Sequence, residues 1–145
     1  KKYDLDFVRE IIEQAAIVYD SKKSAILELG GGVPKNTAQQ TGPLLDQILK
    51  RNDGGQEYII QITDARPDTG GLSGATLQEG KSWGKIQDSH EGIITVYADA
   101  TIAFPILALY VLSNQKERKP KRLYKKIGQL YDNLSKDYFN NPKNN

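Results

Sequence analysis

The hydrophobic pattern of this chain predicts an α/β fold built on a parallel sheet. Three apolar runs, "SAILELGGG", "EYIIQIT" and "GIITVYAD", are too short for globular helices and are bounded by glycine or turn residues. Stretches with helical spacing separate them, as parallel strands joined by crossover helices require. The result is a three-layer arrangement with half the strands of a doubly wound sheet. So thin a sheet carries more apolar helix than it can cover, so a partner subunit or a further N-terminal segment is expected to complete it.

The elements follow in order. Phe7, Val8, Ile11, Ile12, Ala15, Ala16 and Tyr19 recur at helical spacing, and Asp6 is suited to cap them, which predicts a helix over 7–20. Ala25 to Leu29 read as a buried strand. Pro43 stands near the start of a second helical pattern, with Leu44, Leu45, Ile48 and Leu49 on one side and "NDGG" closing it. The second strand, "EYIIQIT", leads into an irregular segment, "DARPDTGGLSG". Thr76 and Glu79 have capping-box spacing for a short helix ending near Gly84. After the third strand, "TIAFPILALYVLSN" is a helix apolar on nearly every face, which predicts burial against a sheet or a partner. A basic run, Lys116 to Lys126, then passes into an amphipathic stretch through Leu123, Ile127, Leu130, Tyr131 and Leu134, with a frayed "NNPKNN" at the end.

Bulk properties narrow the function classes. The 145 residues amount to one domain, and a net charge of +2 carries no general signal for nucleic acid or an acidic membrane. The short basic run reads as a solvated face, which ranks nucleic acid last among partners. The chain has no cysteine, so thiol catalysis and thiolate metal sites are excluded, and a single histidine excludes a multi-histidine metal site. No metal is expected. The most apolar run contains Asp99 and Pro105 and is too short to span a membrane. No secretory leader pattern opens the sequence, and a cytoplasmic setting is expected.

Candidate sites cluster where strands end. "GGGVPKN", Gly30 to Asn36, is either a ligand loop or a tight packing turn, and it matches neither the dinucleotide fingerprint nor a phosphate loop. "DTGGLSG" lies beyond the second strand and "ADAT" beyond the third. All three converge on the edge where open α/β sheets bind ligands. Asp99 is a hydrogen-bond acceptor for a ribose or an amine, or simply a helix cap. Lys85 is a surface lysine after a helix end, or an amine nucleophile if burial or nearby positive charge frees it from its proton. Trp83 offers a flat wall and Glu79 a carboxylate for a cationic head. His90, in "DSHEG", is a candidate acid–base group or an exposed loop histidine.

Together, "LGGGVPKN", "SGATLQEGKSWGKI" and "VYADATIAFP" resemble the C-terminal half of deoxyhypusine synthase and its bacterial deoxyhypusine synthase-like relatives, in the right order. The resemblance implies that residues 1–145 are the C-terminal portion of a Rossmann-like NAD-binding domain, in an enzyme assembled as a homotetramer whose usual chain is more than twice as long. It implies an NAD-dependent transfer of the aminobutyl group of spermidine, or of a related polyamine, through a covalent lysine imine. Lys85 matches the imine-forming lysine, while Trp83 and Glu79 match the wall and the amine anchor of the polyamine site. Ala98 and Asp99 match the pair at the NAD ribose, and Gly31, Gly32 and Ser73 fall in the loops expected at the cofactor.

Departures from the family pattern are equally specific. Asn36 replaces a histidine at the substrate, and Leu72 replaces an aspartate that anchors the far amine. Asparagine cannot act as a general base and leucine cannot pair with an ammonium. Extra sequence surrounds "TGPLLDQILKRNDGG". These changes point away from strict deoxyhypusine synthesis and toward a related transfer, with homospermidine synthase-like delivery to a diamine such as putrescine, or to agmatine, as the nearest alternative. A scaffold or regulatory paralogue is the reading from another class.

Overall fold

The computed structural model describes residues 5–51, 55–87 and 92–140. Helix α1 (Phe7–Tyr19) is capped by Asp6, whose side chain accepts from the Arg9 amide. Strand β1 (Ala25–Leu29) leads into α2 (Gly32–Gln39) and a helical turn, α3 (Thr41–Pro43), that widens into a π-turn over Leu44–Ile48. Strand β2 (Tyr58–Thr63) is followed by two 3₁₀ turns, Pro67–Thr69 and Leu72–Gly74, then α4 (Leu77–Ser82) and β3 (Ile93–Tyr97). Helices α5 (Ala100–Asn114) and α6 (Ile127–Asn140) complete the order.

The sheet is parallel, in the order β1-β2-β3, with Leu27, Ile60 and Ile94 in one row and Leu29, Ile62 and Val96 in another. Helices flank it in a partial Rossmann-like arrangement, as the alternating pattern predicts. Because side chains alternate along a strand, Glu28, Ile59 and Gln61 share the opposite face, which α2 and α4 cover. There Ile59, Leu77 and Ile86 form a buried cluster, with Ile93 packed against it. A second core lies among helices: Ala15, Ala16, Leu45, Leu130 and Leu134 are all buried where α1 meets α6 and the π-turn. Tyr19 donates to Asp137 at 2.7 Å, and Arg51 meets the same carboxylate at 3.1 Å, pinning α6 to the rest.

Three expectations need correction. Helical structure begins at Gly32 and not near Pro43, so "GGGVPKN" is a turn of only two residues before a helix. Ile48, expected on the apolar side with Leu44, Leu45 and Leu49, is exposed, because the wider turn bonds the Leu49 amide to the Leu44 carbonyl and rotates Ile48 outward. Helix α5 touches β2, yet none of its residues is buried, and Ile102, Ile106, Leu109, Tyr110 and Leu112 all face outward. Nor is β1 the buried strand expected: Leu27 and Leu29, with Ile94 of β3, are about half exposed on the sheet face away from α2, and within β1 Glu28 alone is buried. No helix among the described residues is long and apolar enough to cross a membrane. His90 and the end of "NNPKNN" lie outside the described residues.

Buried polar groups bind the α2 side of the sheet. Glu28 is buried, accepts from Gln39 Nε2 at 2.6 Å through one oxygen, and leaves the other without a partner among the described residues. Burial raises its carboxyl above the ordinary glutamate range, against the Gln39 hydrogen bond and the Lys35 charge. In that interval the folded state binds more protons than the unfolded chain, so stability falls as pH rises above the ordinary glutamate value. Glu28→Gln, which keeps an acceptor for Gln39, is expected to remove that decline. Urea unfolding of both proteins between about pH 4 and 8 checks it, and an unchanged slope would place the titration elsewhere.

Candidate functional site

The residues around Lys85 are positioned by local rules. Thr76 caps α4 with its side chain accepting from the Glu79 amide at 3.2 Å, and Glu79 Oε1 accepts in return from the Thr76 hydroxyl and, at the limit of range, the Thr76 amide. This is the capping box expected from the spacing. At the other end, the Gly84 amide donates to the Lys81 carbonyl and the Lys85 amide to the Gly80 carbonyl, with Gly84 at φ +70°. That pair of bonds is a Schellman motif, which requires the left-handed residue that glycine supplies. Tryptophan ends the helix, glycine reverses the chain, and lysine follows.

The Lys85 backbone is then held from below. Its carbonyl accepts from the Gln56 amide at 3.1 Å, and the Gln56 carbonyl accepts from the Gln87 amide at 3.0 Å. Ile86 is buried in the sheet core, so the neighbouring Lys85 side chain turns toward α2. There its Nζ donates to Asn36 Oδ1 at 2.7 Å.

A cleft of about 120 Å³ opens at this contact, lined by Asn36, Leu72, Glu79, Trp83 and Lys85 together with Lys35 and Gln39. Every position expected at the substrate is therefore brought together. Trp83 is two-thirds exposed and forms an open wall. Glu79 is the one carboxylate lining the cleft among the described residues.

The positions expected at the cofactor lie at the ends of the strands and do not line this cleft. A Cβ on Gly31 would fall 2.7 Å from the Ser73 Cα, so close packing of the two loops by itself accounts for that glycine. Gly32, at φ +74°, faces open space apart from Ser73 Oγ at 3.9 Å, and it begins α2 without a side-chain cap. Asp99 caps α5: its Oδ1 accepts from the Thr101 amide at 2.7 Å and the Thr101 hydroxyl at 2.6 Å, and these bonds hold the carboxyl below the ordinary aspartate range. Ala98 is tied to the end of β2 through its amide and the Thr63 carbonyl.

Lys35 and Gln39 are absent from the expected site, and both are buried. They are four residues apart on one helical face, a signal visible only once α2 is known to be a helix. Gln61 links the loops: its Nε2 donates to the Gly30 and Ser73 carbonyls at 3.0 and 2.9 Å, and its Oε1 accepts from Lys35 Nζ at 3.2 Å. Lys35 also donates to the Ala75 carbonyl at 2.6 Å. Burial pushes its amine below the ordinary lysine range, against the charges of Glu28 and Glu79, with the Lys85 charge adding to the effect.

The fold and the cleft together define a partial Rossmann-like α/β chain with a lysine-centred site between α2 and α4. Residues 1–111 match the family described as deoxyhypusine synthase. A deoxyhypusine synthase-like protein of Nostoc sp. is 47% identical over 139 residues, covering 92% of this chain and 36% of its own length. One from Thermosynechococcus vestitus is 43% identical over 145 residues, covering 94% and 36%. A probable deoxyhypusine synthase 2 of Archaeoglobus fulgidus is 42% identical over 120 residues, covering 80% and 38%. The chain spans little more than a third of the length of the curated relatives it matches. It belongs to the deoxyhypusine synthase family.

Proposed function

We propose that this chain carries the imine-forming part of an NAD-dependent transferase that moves an aminoalkyl group from spermidine or a related polyamine. The observation that carries this reading is the single cleft in which Lys85, Asn36, Glu79 and Trp83 meet. Lys85 is the nucleophile. Its free amine attacks the carbon of a substrate iminium, a new C–N bond forms to Lys85, and the former C–N bond breaks as its nitrogen leaves with a proton as an amine. An acceptor amine reverses the exchange and frees Lys85. Glu79 anchors an ammonium of the substrate, Trp83 covers its alkyl chain, and Asn36 orients Lys85 by accepting its hydrogen bond.

Bound NAD would supply the hydride chemistry at the donor amine and the product imine. The strand-end loops fit such a group. Gly32 leaves the uncapped amides of α2 approachable for phosphate, and Ser73, Ala98 and the second oxygen of Asp99 would stand beside it. Neutral Asn36 and Leu72 leave Glu79 as the one anionic anchor of the cleft, which favours a small diamine acceptor in a homospermidine synthase-like transfer. The exposed apolar surfaces of α5 and the sheet support burial in an assembly, a homotetramer or a complex with a further segment.

Incubation with NAD and spermidine, borohydride reduction and peptide mass analysis tests the reading. A four-carbon adduct on Lys85 is expected, and its absence with every polyamine tried, in protein that includes any preceding segment, would sink it. In the same assay Glu79→Gln separates cap from anchor. Glutamine serves a capping box as well as glutamate does, so stability should stay within about 0.5 kcal/mol. Loss of one charge-assisted bond should raise the half-saturating polyamine concentration about tenfold to a hundredfold. An unchanged concentration would remove Glu79 from the substrate.

A further inference from the structure

Among the described residues, Lys35 is the one charged side chain that is buried and also lines the cleft. Its surroundings constrain it closely. The Gln61 amide cannot be reversed, because its Nε2 already faces two carbonyls, so Oε1 must be the atom toward Lys35. The second partner, the Ala75 carbonyl, is also an acceptor. Two acceptors take two N–H bonds. A neutral amine has two, while an ammonium has three, and the third position, a lone pair in one state and an N–H in the other, has no partner among the described residues and is the one left for the cleft.

We propose that Lys35 is the proton acceptor of this cleft, taking from Lys85 the proton that the Lys85 ammonium must lose before it can attack carbon. The inference rests on the reading of Lys85 as nucleophile and fills the place that Asn36 cannot. One proton moves: Lys85 goes from ammonium to amine, Lys35 from amine to ammonium, and no other bond changes. Burial lowers the basicity of Lys35. The groups that act on it from the packed elements are Glu28 of β1, Glu79 of α4 and Lys85 of the turn after α4. The two carboxylates stabilise Lys35 as the ammonium once it has the proton, and the departure of the Lys85 charge removes the opposing repulsion. Gln61 and Ala75 hold the amine in place throughout, so it requires no rearrangement to turn over.

The test needs neither NAD nor a polyamine, so its failure is distinct from failure of the transferase reading. A small aldehyde with cyanoborohydride alkylates free lysine amines, and peptide mass analysis gives the rate at each lysine as a function of pH. In the native protein Lys85 should be labelled at neutral pH at least about tenfold faster than the exposed Lys22 and Lys23. Lys35→Arg keeps a cation and N–H donors for Gln61 and Ala75 but has no proton-accepting lone pair at neutral pH, and Lys35→Met removes both. Both should lower Lys85 labelling to the surface rate at neutral pH, with recovery as pH rises to where Lys85 loses its proton unaided. Native labelling at Lys85 no faster than at the surface lysines would overturn the proposal. So would a Lys35→Arg rate equal to the native one, or a loss that persists unchanged at high pH, since either outcome makes Lys35 a structural pin. Circular dichroism of the two variants identifies one that has unfolded, and the arginine variant then decides.

Discussion

Lys85→Arg is expected to eliminate the four-carbon adduct and lower transfer by about a thousandfold or more, with the fold intact. Arginine retains a cation and N–H donors for Asn36 Oδ1, so the 2.7 Å contact that orients the native side chain can be replaced. It cannot supply a free amine, because the guanidinium does not lose its proton in proteins. Lys85 is only half-buried, and its helix ends on backbone bonds to Gly80 and Lys81 that no side chain makes, so stability should change by no more than about 0.5 kcal/mol. Circular dichroism and urea unfolding check the fold, and borohydride trapping with peptide mass analysis checks the chemistry. Lys35 and Lys81 are nearby amines that serve as internal comparisons. An adduct of undiminished yield on either of them in the variant would show that Lys85 is not the nucleophile.

The parts of this site that sequence made legible are those governed by local rules. Thr76 and Glu79 signal a helix start through a spacing that works in isolation, and Gly84 signals its end through a backbone angle that other residues resist. Between them they put Trp83 and Lys85 at a helix terminus without reference to the rest of the chain. The strand Ala25–Leu29 was legible for a similar reason, since a short apolar run against glycines has few other solutions.

Helix α2 was not legible, because it inverts the usual pattern. It opens on a glycine, lacks a side-chain cap, and buries Lys35 and Gln39 while Val33 is exposed. Its inward face is polar because the sheet beneath it is polar, through Glu28 and Gln61. Such a helix is set by tertiary hydrogen bonds, which no window of sequence contains. The same inversion concealed Lys35 and Gln39 in the cleft wall. Ile48 illustrates a second limit, for its exposure follows from a π-turn that shifts the register of an otherwise ordinary apolar stripe.

Gly55→Ala is the substitution away from the cleft expected to harm it most. Gly55 adopts φ +85°, and a Cβ there would lie 2.6 Å from both the carbonyl carbon and oxygen of Lys85 and 2.8 Å from the Ile86 amide nitrogen. All three are backbone atoms tied to the Gln56 bridge, so none can step aside as a flexible side chain would. Gly42 closes the space from the far side, its own Cβ position lying 2.8 Å from the Gly55 Cα and 2.9 Å from the Gly84 carbonyl. The strip carrying Lys85 and Ile86 would have to move, taking Ile86 from its contacts with Ile59 and Leu77 and the Lys85 amine from Asn36. A left-handed alanine and an overpacked backbone together should lower stability by roughly 2–4 kcal/mol. A displacement on the order of 1 Å at the nucleophile should slow adduct formation about a hundredfold, measured below the temperature at which the variant unfolds. Gly70→Ala is the matched control: Gly70 has φ +74° but open space around its Cβ position, so it carries the conformational penalty of about 1 kcal/mol without the collision. Urea unfolding and the trapping rate should separate the two variants by both measures. Equal losses would mean that left-handed strain alone matters at Gly55, and that Lys85 does not depend on this glycine for its position.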